Sequence, residues 1–260
     1  MEEVLLPSKI ELTPGETENH ATLTVEPCYY GYGTTLGNSL RRVMLSSLPG
    51  AAVTAVKISG AQHEFSAIEG VKEDVLEIIL NLKELRMRVH TDEPVRLHLS
   101  VKGDQKVTGA DIDLNSDVEI VNPKHHIATL TDKKATLEME IFVGRGRGFI
   151  PVEERGEEKL ELGTIAIDAI YSPVREIGYR VENARVGDIT NYDKLIMEIE
   201  TDGTITPKEA VDQSVRILLD YFSLVSNQSV GEAQVKEAAV VEEPEEVEEE
   251  PKKKTKKAKK

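Results

Sequence analysis

At 260 residues, with 39% hydrophobic and 30% charged side chains, the sequence has the composition of a globular protein with room for two modest domains. A formal charge of −15 argues against the body of the chain being a general nucleic-acid binder, and the single cysteine, Cys28, excludes internal disulfides and a cysteine-based zinc site. No run of eighteen apolar residues occurs, and Met1-Glu-Glu-Val-Leu-Leu-Pro7 lacks the basic start and apolar stretch of a signal peptide, so a cytoplasmic protein with no membrane partner is expected.

Residues 8–12 and 21–26 alternate like strands of one antiparallel sheet. A glycine-rich stretch then opens a helix that runs to Leu48, with Thr34 and Thr35 as N-cap candidates and Pro49-Gly50 as its stop. On a helical wheel Leu36, Leu40, Val43, Met44 and Leu48 share one side, which reads as a core stripe. The opposite side gathers Asn38, Arg41, Arg42 and Leu45, a leucine set among arginines. An interface anchor has this make-up, and so does a surface with one scattered apolar residue. The pattern Gly31-Tyr-Gly-Thr-Thr-Leu-Gly37 is not a dinucleotide cradle, because Pro27 and Cys28-Tyr-Tyr30 separate it from the preceding strand and no βαβ unit follows.

Residues 51–59 predict a strand of uncertain register, 71–85 a helix, and 95–101 a period-two strand with His98 on its polar face. Asp111 to Asp117 resembles a calcium loop but has Ser116 where glycine is required and Asn122 where a bidentate glutamate is required. His125-His126 lacks companion ligands at metal spacing and reads as a loop or edge position. Residues 134–143 predict another strand, and Arg145-Gly-Arg-Gly148 a turn after it whose arginines are free to reach acidic neighbours. Residues 163–173 are apolar and β-branched, and 174–181 and 194–200 alternate. Thr206-Pro-Lys-Glu209 is a capping box. Behind it Val211, Val215, Leu218, Phe222 and Val225 form a heptad seam, with Ala210, Ile217, Tyr221 and Leu224 as a second row. Two apolar rows suit a helix packed on its own sheet and on an identical chain, or a wide core helix inside one chain. From residue 232 an acidic block and then a lysine-rich tail are too polar to bury a core and are expected to be disordered.

Glu26-Pro27 followed by Gly31-Tyr-Gly-Thr-Thr-Leu-Gly-Asn-Ser-Leu-Arg-Arg-Val-Met-Leu-Ser-Ser-Leu-Pro-Gly50 resembles the signature of the bacterial RNA polymerase alpha-subunit family. The resemblance continues at His63-Glu-Phe-Ser66, residues 69–83, Arg145-Gly-Arg-Gly-Phe-Ile-Pro151, Tyr171-Ser-Pro-Val174 and Asp202-Gly-Thr-Ile-Thr-Pro207, in fixed order over about residues 1–230.

The resemblance implies an α+β fold in two domains. Residues 1–49 with 173–231 would form a dimerisation and assembly domain of antiparallel sheet plus two helices. Residues 50–172 would be an inserted mainly-β domain, and 232–260 the tail. It implies a homodimer that serves as the assembly platform for the catalytic β and β′ subunits of DNA-directed RNA polymerase, with omega and sigma in the full complex. The chain would then be a non-catalytic subunit of a nucleotidyltransferase. Asn38, Arg41, Arg42 and Leu45 match the family's β contact, and Lys83 and Ile167 are further large-subunit candidates on the resemblance alone. Leu36, Leu40, Val211, Val215, Leu218, Phe222 and Val225 are the expected dimer interface. No cofactor is expected in this chain, since no aspartate cluster is present to hold the two magnesium ions of polymerisation, which belong to the large subunits. The family's small C-terminal helical domain, which binds upstream promoter DNA and activators, has no counterpart in the sequence, so little direct DNA contact is expected. A free-standing homodimeric scaffold fits the same periodicities. A small-molecule enzyme is disfavoured by the absence of any Ser/His/Asp, Cys/His or metal constellation.

Overall fold

The computed structural model describes residues 4–155, 161–187 and 189–230; the acidic block and lysine-rich tail lie outside them. In chain order the elements are β1 (Lys9–Pro14), β2 (His20–Cys28), α1 (Tyr32–Ser46), β3 (Pro49–Ile58), α2 (Val75–Lys83), β4 (Met87–Val89), β5 (Val95–Lys102), β6 (Lys106–Thr108) and β7 (Ile112–Asp113). There follow β8 (Val118–Ile120), β9 (His126–Thr129), β10 (Thr136–Arg147), β11 (Phe149–Ile150), β12 (Thr164–Ala166), β13 (Ala169–Ile170), β14 (Val174–Val186), β15 (Ile189–Thr201) and α3 (Pro207–Val230). The chain divides into two compact units, one ending at Tyr221 and one beginning at Phe222. The described part of the second is the end of α3.

The first unit holds two larger antiparallel sheets, which makes the fold α+β. Strands from the two ends of the unit make one of them, in the order β1-β2-β15-β14. Strict alternation puts Leu23 and Val25 of β2 and Leu195, Met197 and Ile199 of β15 on one face. There they bury Leu40 and Met44 of α1 and Ala210 of α3. The five-stranded sheet, β12-β3-β10-β5-β7, comes wholly from the middle of the chain. Its core joins Leu97 and Leu99 of β5 and Leu137, Met139 and Ile141 of β10 to Ile78 and Leu82 of α2. Arg88 of β4 links the middle of the chain to the loop before α3, donating from Nε to the Thr204 carbonyl at 2.7 Å and from a terminal nitrogen to the Gly203 carbonyl at 3.2 Å.

Several expectations move. The helix expected over 71–85 begins at Val75, because the Asp74 side chain accepts the Glu77 N–H at 2.7 Å and closes the N-terminus. Its approach segment is held by Glu73, whose carboxylate accepts from the Thr129 N–H, the Thr129 hydroxyl and His126 Nε2. His126 thus has a structural partner, as does His125, whose Nε2 lies 2.9 Å from the Asn81 carbonyl. The strand of uncertain register is β3, which starts at Pro49 itself. It is buried on both faces, with Val53 and Val56 in the large core and Ala52 against Tyr171, and its pairing with β10 shifts at Phe142/Val143. The turn expected at 145–148 is mostly strand: Arg145 pairs with Ala51 and Arg147 with Pro49, leaving the reversal to Gly148 at φ 65°. β14 and β15 run well past the predicted segments as one long hairpin, through polar residues that carry no periodic signal.

Candidate assembly surfaces

α1 lies so close to the four-stranded sheet that glycines take the contact. A Cβ on Gly37 would sit 2.7 Å from the Tyr179 ring and 2.9 Å from Leu195, and one on Gly33 would sit 2.9 Å from Asp193. The buried line of the helix is therefore Gly33, Gly37, Leu40 and Met44, and Leu36, expected in the stripe, is 37% exposed. Neither Thr34 nor Thr35 caps the helix. The N-cap is Gly31 in the left-handed region at φ 75°, and the Gly33 N–H is accepted by the Asp193 carboxylate of β15 at 3.0 Å. This cap was missed because it comes from 160 residues away.

The sheet fixes what α1 presents outward. Asn38 and Arg42 are exposed, while Arg41 donates from Nε to the Ile177 carbonyl of β14 at 3.2 Å. Leu45 is half-buried at the margin of the core. The expected four-residue patch is thus graded. Arg41 is tied down and Leu45 is shared with the core, and Asn38 and Arg42 are available to a partner. Leu40 cannot serve a dimer interface directly. It is buried at 7% exposure in the protomer's own core, where the close helix–sheet approach draws it inward.

α3 begins as the sequence predicts. The Glu209 side chain accepts the Thr206 N–H at 2.8 Å, and the Thr206 hydroxyl accepts the Glu209 N–H at 3.2 Å. The Thr206 N–H holds the Glu209 carboxyl below its usual range, helped by the hydroxyl. Ala210 and Ser214 are buried, and Val211, Ile217 and Leu218 pack half-buried against the core. Beyond them the helix carries exposed apolar residues. Val215 is 37% exposed, Leu219 60% and Tyr221 68%; on the last turns Phe222, Leu224 and Val225 are each exposed by more than 60%. Leu219 belongs to neither predicted row, and its exposure was not anticipated.

Lys83 closes α2 with its ammonium 2.9 Å from the Asp168 carboxylate. That ammonium, with the Val152 N–H at 3.1 Å, holds the Asp168 carboxyl below the usual carboxylate range. Ile167 is a correction: its side chain is in the core at 1% exposure and offers a partner no surface. Its carbonyl is taken by the Arg155 guanidinium, which also donates to Thr54. Among the described residues no group of three or more His, Cys, Asp or Glu is arranged to hold a metal ion, and no described helix is long and apolar enough to cross a membrane.

The geometry defines an α+β protein with a self-contained mixed core, a second and discontinuous sheet, and helix faces turned outward. A family model described as the RNA polymerase Rpb3/RpoA insert domain matches residues 56–172. The chain is 51% identical over 217 residues to the DNA-directed RNA polymerase subunit alpha of Alkaliphilus oremlandii, covering 83% of this chain and 68% of that one. It is 50% identical over 209 residues to that of Oceanobacillus iheyensis, covering 80% and 66%, and 51% identical over 209 residues to that of Symbiobacterium thermophilum, also covering 80% and 66%. The chain belongs to the DNA-directed RNA polymerase alpha-subunit family, and it spans about two thirds of the length of these relatives.

Proposed function

We propose that the chain homodimerises in the cytoplasm and that the dimer is the platform on which the catalytic β and β′ subunits of DNA-directed RNA polymerase assemble, with omega and sigma joining the full complex. The chain itself contributes binding surface to this nucleotidyltransferase, and magnesium chemistry resides in the large subunits. Residues 1–49 with 173–231 act as the dimerisation and assembly domain, and 50–172 as the inserted domain.

The observation that carries this reading is α3. Within the first unit the helix leaves Val215, Leu219 and Tyr221 exposed at 37%, 60% and 68%, large apolar side chains of the kind that mark an interaction surface. In a family of subunits, the economical cover is the same helix of a second copy, since an isologous contact needs one self-complementary face. Leu36, 37% exposed on α1, is a further candidate for the dimer contact. Arg42, exposed and in no ion pair among the described residues, is the charge-assisted anchor for β, with Asn38 beside it and Leu45 supplying apolar margin.

Light scattering on a sizing column tests both faces, with the chain alone and then mixed with its β subunit. The expected masses are those of two chains, and then of two chains with one β. Phe222→Ser with Leu219→Ser should yield a monomer. Arg42→Ala should keep the dimer and weaken the β complex. A monomeric wild type would overturn the dimer, and Arg42→Ala binding β as wild type does would overturn the role of Arg42.

A further inference from the structure

The Arg145-Gly-Arg-Gly segment is left without a task by the reading above, and its glycines show what it is built for. Gly146 faces the Tyr171 ring so closely that a Cβ would lie 2.6 Å from it. Gly148 is left-handed at φ 65°, and a Cβ there would lie 3.4 Å from the carbonyl oxygen of Ser46, the last residue of α1. The Gly148 carbonyl accepts the N–H groups of Tyr171 at 2.8 Å and Ser172 at 3.2 Å. Arg147 is paired with Pro49, the residue where α1 has just given way to β3. The turn is therefore seated against the end of α1 and fixed from two sides.

That seating puts three side chains outside. Arg145 pairs with Asp92 at 2.7 Å, but Arg147 is exposed and in no ion pair among the described residues. Phe149 is 58% exposed and stands directly across from Ile170, 42% exposed, in the β11–β13 ladder. Arg42 lies on α1 one turn before Ser46, whose hydroxyl donates to the Arg42 carbonyl at 2.8 Å. One surface thus runs from Arg42 across Ser46 to Arg147 and the Phe149–Ile170 pair. Among the described residues its two guanidinium groups, on Arg42 and Arg147, form no ion pair, in a chain of charge −15.

We propose that the Arg147–Phe149 turn extends the Arg42 face of α1 into one docking surface for a segment of the large subunit that carries carboxylates beside an apolar side chain. The inference rests on the proposed β contact at Arg42 and specifies its partner's chemistry. Guanidinium forks match carboxylates bidentately, and an exposed cross-strand Phe–Ile pair needs apolar cover. A phosphate backbone is a poorer occupant, because two cations in a strongly acidic chain give little counterion release and an apolar pair contributes nothing to phosphate.

The test uses the full chain and its β subunit, with Arg147→Glu, Arg147→Lys and Phe149→Ser beside Arg42→Ala. All three positions are exposed, so the four variants should melt and dimerise as wild type does. Arg147→Glu should weaken β binding about tenfold or more at low salt, chiefly in the association rate, and flatten its salt dependence. Arg147→Lys should restore most of the association rate, and Phe149→Ser should raise the dissociation rate about tenfold. If Arg147→Glu and Phe149→Ser bind like wild type while Arg42→Ala does not, the extended surface is wrong and the Arg42 contact stands. If wild type itself does not bind β, the proposed function fails and this inference with it. If wild type binds duplex DNA and Arg147→Glu abolishes that binding, the surface reads phosphate and the carboxylate assignment is overturned.

Discussion

The two cores of the first unit are built on different terms. The core around the five-stranded sheet is assembled from one continuous stretch of chain. It closes over Ile78, Leu82, Leu97 and Ile141, each at 1% exposure or less. The core around the four-stranded sheet is smaller, drawn from the two ends of the unit, and one of its helices carries uncovered apolar residues as far as Tyr221. The first can reach its stability within one chain. The second leaves apolar side chains of α3 exposed, Leu219 at 60% and Tyr221 at 68%, and the proposed dimer contact rests on them.

The largest effect that sharpens this contrast is expected at Leu82, which is fully buried. Leu82→Ala removes buried atoms from a site hemmed in by sheet and helix, and should cost about 3 kcal/mol in urea unfolding. For that core the loss should not depend on chain concentration. Under the proposed dimer, substitutions among the apolar residues of α3 should behave oppositely, since a dimer's stability depends on chain concentration. Equal concentration dependence for both would mean that the two cores do not differ in how they are stabilised.

How much of this was legible in the sequence follows from where each signal sits. The capping box of α3 and the alternation of β5 are local, and both occur as read. The arginine face of α1 was visible as a pattern, but its grading was not, because the Ile177 carbonyl that ties down Arg41 is 136 residues away. Periodicity alone puts Leu36 in the core stripe. The wheel counts hydrophobic side chains, whereas close packing against Tyr179 and Leu195 selects for the absence of one at Gly37. Ile167 is a contact candidate on the resemblance alone, and the apolar run around it does not distinguish a buried side chain from an exposed one. The short strands β4, β6, β7, β8 and β11 have too few residues to show any period.

A middle-sized effect is expected at Asp193, which joins the discontinuous core's sheet to its helix. Its carboxylate is the acceptor for the Gly33 N–H in a helix whose own N-cap, Gly31, offers no side chain. Asp193→Ala should cost about 1 kcal/mol, as loss of an N-cap does, and Asp193→Asn should recover most of it. Amide exchange should quicken in the first turn of α1 and stay unchanged in α2, whose cap, Asp74, is local. If α2 loosens equally, the two cores are a single cooperative block and the comparison fails.

The smallest effect lies within the closed core, at the Glu73 tie. Burial alone would push this carboxyl up, but the Thr129 N–H at 2.6 Å, His126 Nε2 at 3.1 Å and the Thr129 hydroxyl at 2.9 Å together hold it below the usual carboxylate range. A carboxyl whose folded value is depressed stabilises fully above its unfolded value, about pH 4.3, and loses that contribution as pH falls through the lower folded value. Wild type should therefore lose stability below about pH 4.5. Glu73→Gln keeps one acceptor oxygen for Thr129 but gives up the charge. It should be weaker at pH 7 by about 0.5 kcal/mol and show a shallower acid slope in unfolding measured from pH 7 to 3. The His126 contact is the part that glutamine replaces least well, since it adds charge assistance only when the imidazole is protonated. An acid slope unchanged by Glu73→Gln would mean that the ion pairs of the open sheet face, such as Glu26 with Lys9 and Lys194, set the acid response instead.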